Sequence, residues 1–177
     1  GREYCASNVL YSMAEESVTF SLDIQNAYPK ETGVKFYNRT YRMYRGNDVK
    51  EKIKRSINEK AYIEITDTYT FERESNTISL NFIVWKRPEI IRANNTITAD
   101  AMVNDKINTN GLIKVEIDEN TSFYMEFDKD NTKVDIEHCD TSDERLRQVW
   151  GDEGIYRIII TKTVPKEGSF SVRIYKK

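Results

Sequence analysis

The sequence predicts an all-β fold, mainly antiparallel: a β-sandwich of jelly-roll type carrying two or three short helices. Three observations lead there. Eleven Tyr, two Trp and only three Pro stand beside many Thr, Ile and Val, the residue types that fit a pleated, half-buried surface. Residues 17–24 alternate with period two, Val18, Phe20, Leu22 and Ile24 against Thr19, Ser21 and Asp23. Residues 154–177 set two β-branched and aromatic runs on either side of Pro165-Lys166-Glu167-Gly168, the pattern of a hairpin.

Taken in order, residues 5–16 read as a short helix. Ser7 is its N-cap, Val9, Leu10 and Met13 have helical spacing, and Glu15 and Glu16 end it. The strand over 17–24 follows, then a turn over 26–33 and a strand over 34–44. Residues 48–60 read as an amphipathic helix capped by Asn47 or Asp48, with a Val49, Ile53, Ile57 stripe that docks it on the sandwich. Strands over 61–71 and 78–86 flank a turn at 72–76, and Pro88 ends the second. Residues 94–110 are polar and read as a connection with a short strand near Ile97. Runs over 112–117, 121–127 and 132–137, separated by Asp/Asn turns, form a β-meander.

Residues 140–150 read as a last helix. Thr141 and Glu144 have capping-box spacing, Leu146, Val149 and Trp150 supply an apolar face, and Gly151 sits at the C′ position. In the final pair of runs, Phe170, Val172 and Ile174 share one face. Ile158 and Ile160 oppose Ile159, which predicts a strand covered on both sides. No repeat, linker or low-complexity stretch divides the chain, so residues 1–177 read as a single β-sandwich domain.

Composition narrows the function. Charged residues make up 32% and hydrophobic ones 38%, and no apolar run approaches the roughly 20 residues a transmembrane helix needs. A net charge of −2 with both signs interspersed leaves no nucleic-acid footprint. Cys5 and Cys139 either stay as two thiols or pair, and the bridge is favoured because neither has another role; closing so long a loop would contribute about 4–5 kcal/mol. Sequons at Asn38, Asn94 and Asn120 permit glycosylation without implying it.

Enzyme chemistry finds little support. The lone histidine, His138, adjoins Cys139, and neighbouring strand residues point to opposite faces, so they cannot form a nucleophile–base pair. One His and two Cys fall short of a zinc set, and no Gly-rich phosphate loop, GxSxG or HExxH motif occurs. Asp128, Asp130 and Asp135 follow an apolar strand with spacing that could gather oxygens around calcium; the same residues also suit a solvated turn. Arg39, Tyr41, Arg42, Tyr44 and Arg45 crowd one strand, either as a protein-binding surface or as a charge-protected edge.

Residues 154–177 also carry a family likeness. Tyr156, Pro165, Glu167-Gly168-Ser169-Phe170 and Arg173-Ile174-Tyr175 resemble the closing hairpin of the C2-like β-sandwich domain of calpains. That resemblance implies a cytosolic accessory domain of a cysteine protease, binding calcium or phospholipid through acidic loops. The residues themselves point first to a non-enzymatic protein-binding module, extracellular or secreted, with an unidentified protein ligand or receptor as partner. The C2-like role is the alternative.

Overall fold

The computed structural model describes residues 4–45, 61–91, 96–97, 111–152 and 154–176. Twelve antiparallel strands dominate them, with one α-helix and two 3-10 turns, so the fold class is the expected all-β sandwich. The predicted helix over 48–60, the sequon at Asn94 and most of the 94–110 connection lie outside the described residues. The short strand expected near Ile97 is present as β7.

The chain forms two compact units, residues 1–76 with 165–176, and residues 77–164. The first unit holds β1 (Ser7–Met13), β2 (Ser17–Asp23), β3 (Val34–Tyr44), β4 (Tyr62–Phe71) and β12 (Glu167–Lys176), hydrogen-bonded in that order. The second contains two runs of hydrogen-bonded strands. One orders β9 (Thr121–Phe127), β8 (Leu112–Asp118), β6 (Glu89–Ile91) and β7 (Thr96–Ile97); the other orders β10 (Thr132–Cys139), β11 (Ile155–Val164) and β5 (Asn76–Val84). Ile90, Ile113, Val115, Met125 and Phe127 from the first run, and Ile78, Leu80, Val134, Ile158, Ile160 and Val164 from the second, are the buried core of this unit.

Four expectations are corrected. Residues 7–13 form a strand, not a helix. Tyr11 and Met13 pair with Phe20 and Val18, and the Ala14 amide bonds to the Ser17 carbonyl at 2.8 Å, leaving Glu15 and Glu16 as the hairpin loop. The β-branched, aromatic, Ser and Asn residues of this run are weak helix formers, and a neighbouring strand supplies the partner that isolated periodicity could not register. The run over 154–177 does not close on itself. β11 pairs with β10, whereas β12 pairs with β4 from Glu167↔Thr70 to Tyr175↔Tyr62, so the Pro165 turn passes the chain between sheets. The meander likewise ends at β9, since β10 pairs with β11. Lastly, β11 buries one face only: Ile158 and Ile160 are inaccessible, while Ile159 is half-buried.

The last helix, α1 (Glu144–Trp150), is capped two residues later than the spacing implied. The Asp143 carboxylate accepts from the amides of Arg145 at 2.9 Å and Leu146 at 3.3 Å. Thr141, buried, instead donates its hydroxyl to the Gly151 carbonyl at 2.8 Å. Gly151 is the C-cap, with φ +80° and ψ −176°, a positive-φ conformation outside the left-handed helical region that suits glycine. Leu146, Val149 and Trp150, the intended docking face, are all exposed.

Candidate functional site

Directly paired residues of neighbouring strands project to the same side of a sheet. The register of the first unit therefore assembles complete rows across it. Met13, Val18, Met43, Ile63 and Ile174 make one row, and Tyr11, Phe20, Tyr41, Ile65 and Val172 the next. Leu22, Arg39, Asp67 and Phe170 follow, then Tyr37, Tyr69 and Gly168. This face is apolar almost throughout.

Its two ends differ. Tyr37, Tyr69, Phe170 and Val172 are buried, whereas Tyr11, Met13 and Met43 are 65%, 67% and 52% exposed. Phe20, Tyr41 and Ile63 are also exposed, and the Phe20 and Tyr41 rings lie 6.3 Å apart. The outcome is an open patch of one aromatic row and one methionine–aliphatic row on β1, β2, β3 and the start of β4. A soluble surface seldom leaves such contiguous large apolar side chains open unless something binds there.

Between the buried and open ends sits a charge. Asp67 is fully buried and takes two parallel hydrogen bonds from Arg39, at 2.7 and 2.8 Å, plus one from the Tyr37 hydroxyl at 2.6 Å. Burial first, and the Asp67 carboxylate second, push Tyr37 far above the usual phenol range; hydrogen bonding to Asp67 holds Arg39 still more firmly protonated. Every carboxylate oxygen is satisfied, which is the condition for keeping a buried charge.

The opposite face of the same sheet is polar. Ser21, Asn38 and Thr40 bond to one another at 3.0 Å, Thr66 bonds to Ser171 at 2.8 Å, and Arg173 donates to Glu64 at 3.1 Å while lying over the Tyr62 ring. Asn38 also donates to the buried Asp23 at 2.8 Å, as does Asn8 at 2.6 Å. Those two bonds, in that order, hold the Asp23 carboxyl below the usual range.

The five residues expected to form one binding surface are divided by this alternation. Arg39 and Tyr41 project to the apolar face, Arg42 and Tyr44 to the polar one, and Arg45 lies past the strand end. Arg39 is engaged by Asp67, so of the five only Tyr41 belongs to the open patch. Sequence reasoning missed Tyr11, Met13, Phe20, Met43 and Ile63, although the period-two pattern of β2 already held the signal for Phe20.

The acidic turn has a different occupant. Asp128 takes the Lys162 ammonium at 2.7 Å, and Lys162 also donates to the Asp130 carbonyl at 2.6 Å. Asp128 accepts the Asp130 amide at 3.0 Å, and Asp135 pairs with Lys133 at 2.9 Å. The bond from Lys162, then that from the Asp130 amide, lowers the Asp128 pKa. Among the described residues no group of three or more His, Cys, Asp or Glu side chains is placed to hold a metal ion. Asp128 and Asp130 thus lie in the connection from β9 to β10, clamped by Lys162, whereas Asp135 lies within β10 beside Lys133.

The expected disulfide is absent. Cys5, which precedes β1, and Cys139, at the end of β10, are both free thiols. Of the sequons, Asn120 is exposed at the β8–β9 turn, whereas the Asn38 amide is committed to Asp23. The His138 ring lies tilted against Tyr156 across β10 and β11, with ring centres 5.0 Å apart. No helix of the described residues is long and apolar enough to cross a membrane, which says nothing about β-barrels.

Fold and face together define the class as an antiparallel β-sandwich with one open apolar sheet face. No family model and no curated protein matches the chain. Among solved structures it is similar to heparinase III, at 10% identity and a TM-score of 0.48. That match covers 96% of this chain and 20% of heparinase III, so the chain spans about a fifth of that protein's length.

Proposed function

We propose that this chain is a non-enzymatic recognition module that binds a protein partner through the open end of the apolar face. The observation that carries this reading is the unbroken run of exposed large side chains Tyr11, Met13, Phe20, Tyr41, Met43 and Ile63 across four paired strands. Protein-interface cores are enriched in aromatics and Met and depleted of charge, and this patch has that composition. Methionine adds adaptability, because its unbranched thioether repacks against varied surfaces.

The alternative, a C2-like accessory domain that binds calcium or phospholipid, depends on the acidic turn at Asp128. Lys162 already neutralises that turn, so the apolar face is the better supported site. An extracellular setting, if correct, will show as a glycan on Asn120 rather than on Asn38.

The test compares Met43→Asp with Thr68→Asp, an exposed position on the polar face. Partner binding from the native source should fall at least tenfold with Met43→Asp and persist with Thr68→Asp, while both variants melt like the parent. Equal binding by all three proteins would overturn the proposal.

A further inference from the structure

The outer edge of β1 adjoins the face just described and presents backbone groups instead of side chains. β1 stands at the end of the strand order, so among the described residues its far side has no strand partner. Edge strands of soluble proteins are usually blunted by Lys, Pro or inward charges, because an open ladder pairs with other chains. Ser7–Met13, with sequence SNVLYSM, carries no charge and no proline, and six of its seven residues are exposed.

The ladder phase identifies the atoms that are available. The Ala14 amide bonds to the Ser17 carbonyl, which makes that pair the hydrogen-bonded end of the β1–β2 hairpin. Antiparallel pairs alternate between hydrogen-bonded and non-hydrogen-bonded, so Ser12↔Thr19 and Leu10↔Ser21 are bonded pairs. Tyr11 and Met13 therefore turn their N–H and C=O groups away from β2, toward the free edge. These are the same residues whose side chains begin the open apolar patch.

We propose that this edge pairs with the β1 edge of a second copy of the chain, antiparallel about a two-fold axis at Ser12. Each Tyr11 then faces Met13 of the other copy in a hydrogen-bonded pair, with Ser12 opposite Ser12. Every pair within residues 10–14 is neutral, so self-association brings no like charges together across the axis. Like charges on this edge would repel across the axis, and their absence leaves the self-complementary Tyr11–Met13 pairing to a second copy unopposed. Both apolar faces come to lie on the same side of one continuous sheet.

Met13→Pro is the diagnostic variant, because proline deletes an outward N–H and leaves the bonds from Ser12 and Ala14 to β2 in place. In sedimentation equilibrium from micromolar to several hundred micromolar, the parent chain should reach twice the monomer mass and Met13→Pro should stay monomeric. Should Met13→Pro fail to fold, a cross-link decides. With Cys5 and Cys139 replaced by Ser, Ser12→Cys should oxidise to a covalent dimer, since a directly opposed non-hydrogen-bonded pair lies within disulfide reach. Thr68→Cys in the same background should oxidise far less. A parent that stays monomeric at every concentration, a dimer indifferent to Met13→Pro, or equal cross-linking at Ser12 and Thr68 overturns the proposal.

Discussion

Asp67 is the residue on which the first unit depends most sharply. Its carboxylate is fully buried and serves Arg39 and Tyr37 together. Asp67→Asn leaves the guanidinium without its counter-charge, and breaking one partner of a buried pair costs about 3–5 kcal/mol. Urea unfolding should show a loss of that size. The triple change Asp67→Leu, Arg39→Met, Tyr37→Phe should recover much of it, because it removes the desolvated charges together. Asp23 and Asp128 give a pH-dependent counterpart. Both carboxyls are held below their usual range, so their stabilisation is full above the unfolded value near about 3.9 and is lost as pH falls through the depressed folded values. Urea midpoints measured from pH 6 downward should stay level and then drop below about pH 4. The drop should be shallower in Asp128→Asn. Millimolar calcium should leave the melting temperature unchanged, since it would have to displace Lys162.

At the scale of the element, strands were legible wherever alternation was clean, and faces were not. β2 and β4 fall where period two placed them, because the pleat fixes side-chain alternation whatever the partner, and β3, β8 and β9 fall in the runs that turn residues bound. Which side is covered depends on what packs there. Phe20 of β2 is therefore exposed while Asp23, the last polar residue of the same strand, is buried. The same limit explains the mixed set on β3, in which Tyr41 and Arg42 were grouped although adjacent strand residues diverge. The Arg39–Asp67 pair had no sequence signal at all, its members lying on different strands. Strand partners were also beyond local reading: β11 and β12 look like a hairpin because both suit a sheet, not because they share one. Two predictions belong here. Asp143→Ala removes the cap of α1 and should cost about 1 kcal/mol, read by thermal melting. Gly111→Ala should cost more, since φ is +72° and a Cβ would lie 2.2 Å from the Phe127 carbonyl oxygen; expression and melting of that variant test it.

For the molecule as a whole, the first unit is discontinuous. Its strand β4 pairs on one side with β3 and on the other with β12, which lies beyond the entire second unit in sequence. Ending the chain at residue 164 removes Phe170 and Val172 from the buried end of the apolar face. Hydrogen exchange should then report lost protection in β3 and β4, with protection retained in β8, β10 and β11. Uniform loss in both units would show that they unfold as one.

The interrupted sheet also has a consequence in time. At about 5–20 residues per second, a ribosome needs about 5 to 19 seconds to pass from the end of β4 to the start of β12. Throughout that interval β4 waits with an unfilled ladder and the apolar row from Ile63 to Tyr69 uncovered, while the contiguous second unit can complete itself. The nascent chain is thus most vulnerable to mispairing at β4, which depends on a strand made only after the whole second unit.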